Sequence, residues 1–201
     1  MLFFNKLLKK TSTNDVITVV SGLPRSGTSM MMRMLEAGGL EAVTDNIRTA
    51  NEDNPRGYYE FERVKQLGKD TSWLAACRGK VVKIISMLLY HLPADHHYKV
   101  VFMQRTMKEI LASQRVMLQR SGEKEDGIND AKLAEQFEKH LHQVAEWIAK
   151  QVNIDVLYIK YSDILHDPRT HANAVNQFLG GWMDEGNMAK TVESSLYRQR
   201  Q

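Results

Sequence analysis

The stretch VITVVSGLPRSGTSMMMRMLEAGG, residues 16–39, decides the fold. Its first five residues are all β-branched and, Thr18 apart, apolar, as in a strand buried on both faces. Gly22, Pro24 and Gly27 break that run. From Thr28 to Ala37 the composition favours a helix, with Met30, Met31, Met34 and Leu35 available for a buried face and Gly38-Gly39 as the stop. The order is strand, glycine-containing loop, helix.

Outward from this unit the rhythm repeats. VVKII (81–85) and KVVFM (99–103) read as buried strands, and Ile110, Leu111, Gln114, Met117 and Leu118 place a helix over 106–120. Leu133, Phe137, Leu141, Val144 and Ile148 predict a long amphipathic helix over 130–151, followed by the strand IDVLYIK (154–160). Asp167 before Pro168 starts a helix that ends at Gly180-Gly181, and a last helix is expected over Asp184 to Tyr197. Residues 121–129 form a polar loop. Strands separated by helices imply right-handed crossovers. The expected fold is therefore α/β, a three-layer α/β/α arrangement with a mainly parallel sheet of four to five strands.

The chain has 201 residues, and a domain of that size removes roughly 70% of its unfolded surface from water. With 43% apolar and 25% charged residues and no interdomain linker, it reads as one domain over 1–201 with an N-terminal extension at 1–14. The net charge of +3 comes from Lys6, Lys9 and Lys10 in that extension, so the rest is balanced, which argues against a nucleic-acid partner. MLFFNKLLKK has its charges on the wrong side for a signal peptide, and no apolar run is long enough to span a membrane. Cys77, the single cysteine, forms no intrachain bridge, so a cytoplasmic location is expected. His140 and His142, two apart on a helix, point away from each other, and no metal site is expected.

Gly22-Leu-Pro-Arg-Ser-Gly27-Thr28-Ser29 has the spacing of a Walker A loop, with Thr28 where the lysine would stand. Such a P-loop-like turn aims backbone N–H groups at an anion, and the helix dipole adds to that field. Without the lysine it suits one phosphate better than a nucleoside triphosphate. Arg25, Ser26, Thr28 and Ser29 supply further donors.

This loop between a buried strand and a helix resembles the 5′-phosphosulfate loop of sulfotransferases that use 3′-phosphoadenosine 5′-phosphosulfate (PAPS). Arg105 at a strand end and Ser113, eight residues later, resemble the family's 3′-phosphate motif, although Thr106-Met107 replaces the usual Asp-Pro. Tyr161-Ser-Asp-Ile, Asp167-Pro168 and Phe178-Leu-Gly resemble a third run downstream. The resemblance covers roughly residues 16–180 and departs at the C-terminus, where the lysine- and glycine-rich loop of cytosolic members is missing. It implies donor binding by Pro24, Arg25, Ser26, Gly27, Thr28, Ser29, Arg105, Ser113 and Tyr161, with Arg198 supplying part of the missing contact. The arginine of Pro24-Arg25 is similar to that of tyrosylprotein and some bacterial members.

By this resemblance the chain moves a sulfuryl group from PAPS to a hydroxyl or amine, leaving adenosine 3′,5′-bisphosphate (PAP), without a metal. The acceptor is a small molecule, carbohydrate or lipid. Charge grows on the bridging oxygen, where Arg25 and Lys83 are the candidate cations. Asp45 and Glu60, on an irregular polar and aromatic segment running from residue 45 to 60, are the candidate bases, Glu60 opening a helix. A nucleotide or small-molecule kinase and a non-catalytic nucleotide-binding relative remain the alternatives.

Overall fold

The computed structural model describes residues 15–45, 47, 57–121 and 129–192. The expectations for the N-terminal extension, for most of the polar 121–129 loop, for Tyr197 and for Arg198 lie outside these residues.

Four strands, β1 (Val16–Gly22), β2 (Val81–Lys83), β3 (His97–Gln104) and β4 (Ile154–Lys160), form one sheet in the order β2-β1-β3-β4. Every pairing is parallel. β1 is buried along its whole length, as its β-branched sequence requires of a central parallel strand. The middle run expected over 81–85 is shorter in the ladder, because after Lys83 the chain leaves the sheet for a 3-10 helix over Ser86–His91.

The alternation of side chains divides the core. On one face Val20, Val81, Val101, Met103 and Ile159 pack with α1 (Thr28–Ala37) and with the later helices α4 (Tyr161–His166), α5 (Pro168–Leu179) and α6 (Glu185–Lys190). On the other, Ile17, Val19, Val82, Ile84, Val100 and Phe102 meet the 3-10 turns and Val144 and Ile148 of α3 (Asp130–Ala149). Helical layers therefore cover both faces. Met31, Met32, Met34 and Leu35 are fully buried on α1, so the methionines fill core.

Local signals behave as the sequence predicts in several places. The Asp167 carboxylate accepts from the Thr170 amide, with Pro168 in the first turn of α5. α2 (Met107–Ser121) follows β3 directly, and Arg115 on it pairs with Asp130 at the start of α3. The last helix is shorter within the described residues, ending at Lys190. Tyr161 is the first residue of a short helix, although its segment continues the β4 sequence. Glu60 opens no helix: it sits in an irregular segment, and a 3-10 helix begins at Glu62.

Chain order places the site. The connection leaving β1 packs α1 on one face, whereas the connection leaving β3 leads to α3 on the other. The crevice between the C-terminal ends of β1 and β3 is thus a topological switch point, where open parallel sheets bind ligands.

Candidate active site

The register brings three chain segments to one edge. Gly22 pairs with Met103, and Gln104 pairs with Lys160, so the loop after β1, Arg105 after β3 and Tyr161 after β4 stand side by side. Sequence positions more than 130 apart become neighbours through two parallel pairings alone.

The loop itself is strained and open toward an anion. Gly22 and Gly27 have φ of 145° and 100°, and Arg25 adopts φ of 69°. No side chain caps α1 at Gly27, so the first-turn N–H groups keep their capacity to bind an anion. Ser26 Oγ is buried and has no hydrogen-bond partner among the described residues. A buried hydroxyl left in that condition costs free energy unless something else satisfies it. Gly27 is also required by close packing: a methyl group there would stand 2.4 Å from Tyr161 Cδ2.

Arg25, Arg105, Ser113 and Tyr161 converge. Arg25 Nε donates to Ser113 Oγ at 2.9 Å, and Arg105 Nη1 donates to the Arg25 carbonyl at 3.0 Å. The Arg105 guanidinium lies over the Tyr161 ring, 4.6 Å from its centroid. Burial pushes the Tyr161 hydroxyl's pKa up, while Arg105, Arg33 and Arg25 pull it down. Arginine-rich surroundings of this kind suit phosphate oxygens.

Sequence reasoning missed Glu109. Its carboxylate, in the first turn of α2, accepts from Arg105 Nε at 3.1 Å, and both side chains are almost completely buried. An acid four residues beyond an arginine was the available signal. Arg33, close enough to act on Tyr161 and Tyr59, was missed too, since α1 reads as core.

The second group of candidates lies beyond α1. Lys83 ends β2 on the same side of the sheet as Val81, and its ammonium donates to the Tyr58 carbonyl. Ser29 Oγ donates to the same oxygen at 3.4 Å. Lys83, Ser29 and the segment 57–60 are therefore brought together. Thr28 opens α1 beside them.

The two candidate bases are placed differently. Asp45 is a clamp: its carboxylate accepts from the Glu62 amide at 2.6 Å and the Ile47 amide at 3.0 Å, and those bonds lower its pKa below the ordinary carboxylate value. Glu60 contributes its carbonyl to Thr44 Oγ1 and the Asp45 amide, and its side chain is half-buried. The remainder of the expected polar and aromatic wall, residue 46 and residues 48–56, lies outside the described residues.

Elsewhere the chemistry is structural. His140 Nε2 lies 2.9 Å from Ser86 Oγ, and burial lowers the imidazole's pKa. Burial pushes the Cys77 thiol up to about 11, which leaves it unreactive. Among the described residues no cluster of three or more metal-ligating side chains forms, and no helix is long and apolar enough to cross a membrane.

Comparison with known proteins bears on this geometry. Residues 15–201 match the family described as the sulfotransferase domain. The sulfotransferase domain of the Synechococcus PCC 7002 olefin synthase superposes with a TM-score of 0.54 at 15% identity, covering 94% of this chain and 81% of that one. The sulfotransferase domain from the curacin biosynthetic pathway gives 0.54 at 14% identity, covering 89% and 78%. These likenesses concern the fold. Comparison with curated proteins returns no significant match. With nearly its whole length matched, the chain belongs to the sulfotransferase domain family.

Proposed function

We propose that this protein transfers the sulfuryl group of PAPS to a hydroxyl or amine of a small-molecule, carbohydrate or lipid acceptor, leaving PAP. The observation that carries the reading is the convergence of Arg25, Arg105, Ser113 and Tyr161 beside a phosphate loop at the switch point of the sheet. The orphaned Ser26 hydroxyl and the uncapped start of α1 fit an anionic group at the loop. Family membership and the missing Walker lysine favour a phosphosulfate there over a triphosphate.

PAPS, when bound, supplies a sulfuryl group activated by its phosphate leaving group. The loop amides with Ser26, Thr28 and Ser29 hold the 5′ end, in the turn shaped by Pro24 and Gly27. Arg105 and Ser113 hold the 3′-phosphate, with Tyr161 supporting the guanidinium. Arg25, tied to Ser113, reaches toward that phosphate and binds more than it catalyses. Lys83 is then the cation for charge growing at the reacting end. Glu60 is assigned as the base for the acceptor because its segment lies against the Lys83 ammonium, which donates to the Tyr58 carbonyl, whereas the Asp45 carboxylate holds the Glu62 and Ile47 amides.

The test is incubation with sulfur-labelled PAPS and a panel of phenols, sugars, amines and hydroxylated lipids. Label moving to an acceptor in the wild type and not in Lys83→Ala supports the reading. Tight PAP binding with no transfer to any acceptor class would indicate a non-catalytic relative instead.

A further inference from the structure

Among the described residues only two besides glycines have positive φ, Arg25 and Tyr59, the latter at 52°. Arg25 belongs to the phosphate loop. Tyr59 is a bulky aromatic, for which that conformation is a true outlier and calls for a reason. Gly57, two residues earlier, has φ of 90°. Between these two turns lies Tyr58, its side chain buried and its carbonyl accepting from both Lys83 and Ser29. The strained backbone therefore aims one carbonyl at two side chains of the donor site.

The segment 57–60 has an anchor. Tyr59 Oη donates to Glu36 Oε2 at 2.5 Å, which fastens it to the last turn of α1. α1 begins at the phosphate loop, so the same rigid helix carries the loop at one end and this anchor at the other. A lysine ammonium on a four-carbon stem otherwise samples many rotamers, and fixing one before the anion arrives removes that cost from binding.

We infer that Glu36 and Tyr59 are positioning residues, holding the Tyr58 carbonyl where it presets the Lys83 ammonium for the sulfuryl group. The inference rests on the proposed role of Lys83 at the reacting end. It assigns a task to a strained residue that the phosphate sites leave unexplained. Neither Glu36 nor Tyr59 need touch donor or acceptor.

The test compares PAPS with PAP, which differ only in the sulfuryl group, by calorimetric titration of the full chain. The proteins are wild type, Tyr59→Phe, Glu36→Leu, Lys83→Ala and the Tyr59→Phe/Lys83→Ala double variant. The preference for PAPS over PAP is expected to fall about three- to tenfold in Tyr59→Phe and Glu36→Leu, the worth of one hydrogen bond, with PAP affinity unchanged. In the Lys83→Ala background Tyr59→Phe should have no further effect. The inference is overturned if Tyr59→Phe weakens both nucleotides equally, as a merely structural role would, or if its effect persists without Lys83. A wild type that binds neither nucleotide overturns the donor reading, and the inference with it.

Discussion

Arg25 and Ser113, 88 positions apart in sequence, are joined by a 2.9 Å hydrogen bond from guanidinium to hydroxyl. The bond ties the loop after β1 to α2, and Arg105 closes the circuit by donating to the Arg25 carbonyl. Ser113→Ala should therefore weaken PAP binding by about 1.5–3 kcal/mol, through loss of its own contact to the phosphate and release of Arg25. Calorimetry checks the value, and an unchanged affinity in a folded variant removes Ser113 from the site.

Arg105 is expected to have two roles that separate experimentally. Its charge offsets the buried Glu109, and removing one partner of a buried ion pair costs about 3–5 kcal/mol. Arg105→Ala should lower stability in urea by about that much and also weaken PAP binding. Adding Glu109→Gln should recover much of the stability and none of the binding. Recovery of both would make the arginine a structural residue only.

Gly27→Ala tests the close approach of Tyr161. The substitution meets a backbone at φ of 100° and a ring atom 2.4 Å away, and a loss of about 2–4 kcal/mol in urea unfolding is expected. A loss below about 1 kcal/mol would mean that the ring moves aside freely.

Acid should loosen the segment that carries the candidate bases. Backbone N–H bonds from Glu62 and Ile47 lower the pKa of Asp45, and bonds from Arg63 and Ser72 lower Asp70 from 3.8 to about 2. Below 3.8 the unfolded chain binds more protons than the native one, so stability present above that pH is lost as pH falls toward 2. The melting temperature should drop across that window, and Asp70→Asn with Asp45→Asn should flatten the drop. An equally steep profile in the double variant would contradict these assignments.

Arg25 and Lys83 are expected to divide binding from transfer. Arg25, fastened to Ser113, should lose mainly PAP affinity on replacement by alanine, whereas Lys83→Ala should lower the rate at saturating PAPS by about 10²-fold or more. The reverse pattern would return Arg25 to the reacting end.

Much of this was legible in the residues. β1, the loop and α1 follow from a buried β-branched run, three breakers and a methionine-rich helix, because local propensity and tertiary burial agree there. Arg105 and Ser113 were singled out by resemblance to a family motif, and their spacing fits it, since a strand end and the next helix converge. That Arg25 ties Ser113 down was not legible, because sequence separation hides which loop meets which helix. Asp45 and Glu60 looked equivalent for the same reason: only the fold assigns two backbone amides to one of them. The strain at Tyr59 left no trace in a string where aromatic residues simply mark a wall.

The most direct test of the donor assignment is a thermal-shift comparison of PAP, AMP, and ATP with magnesium on one preparation. A ligand at 100 times its dissociation constant stabilises by about 2.7 kcal/mol, some 5–10 °C for a chain of this size. PAP is expected to give a shift that AMP and ATP with magnesium do not reproduce, and that Arg105→Ala abolishes. A shift confined to ATP with magnesium would contradict the donor assignment and make the phosphate loop that of a kinase.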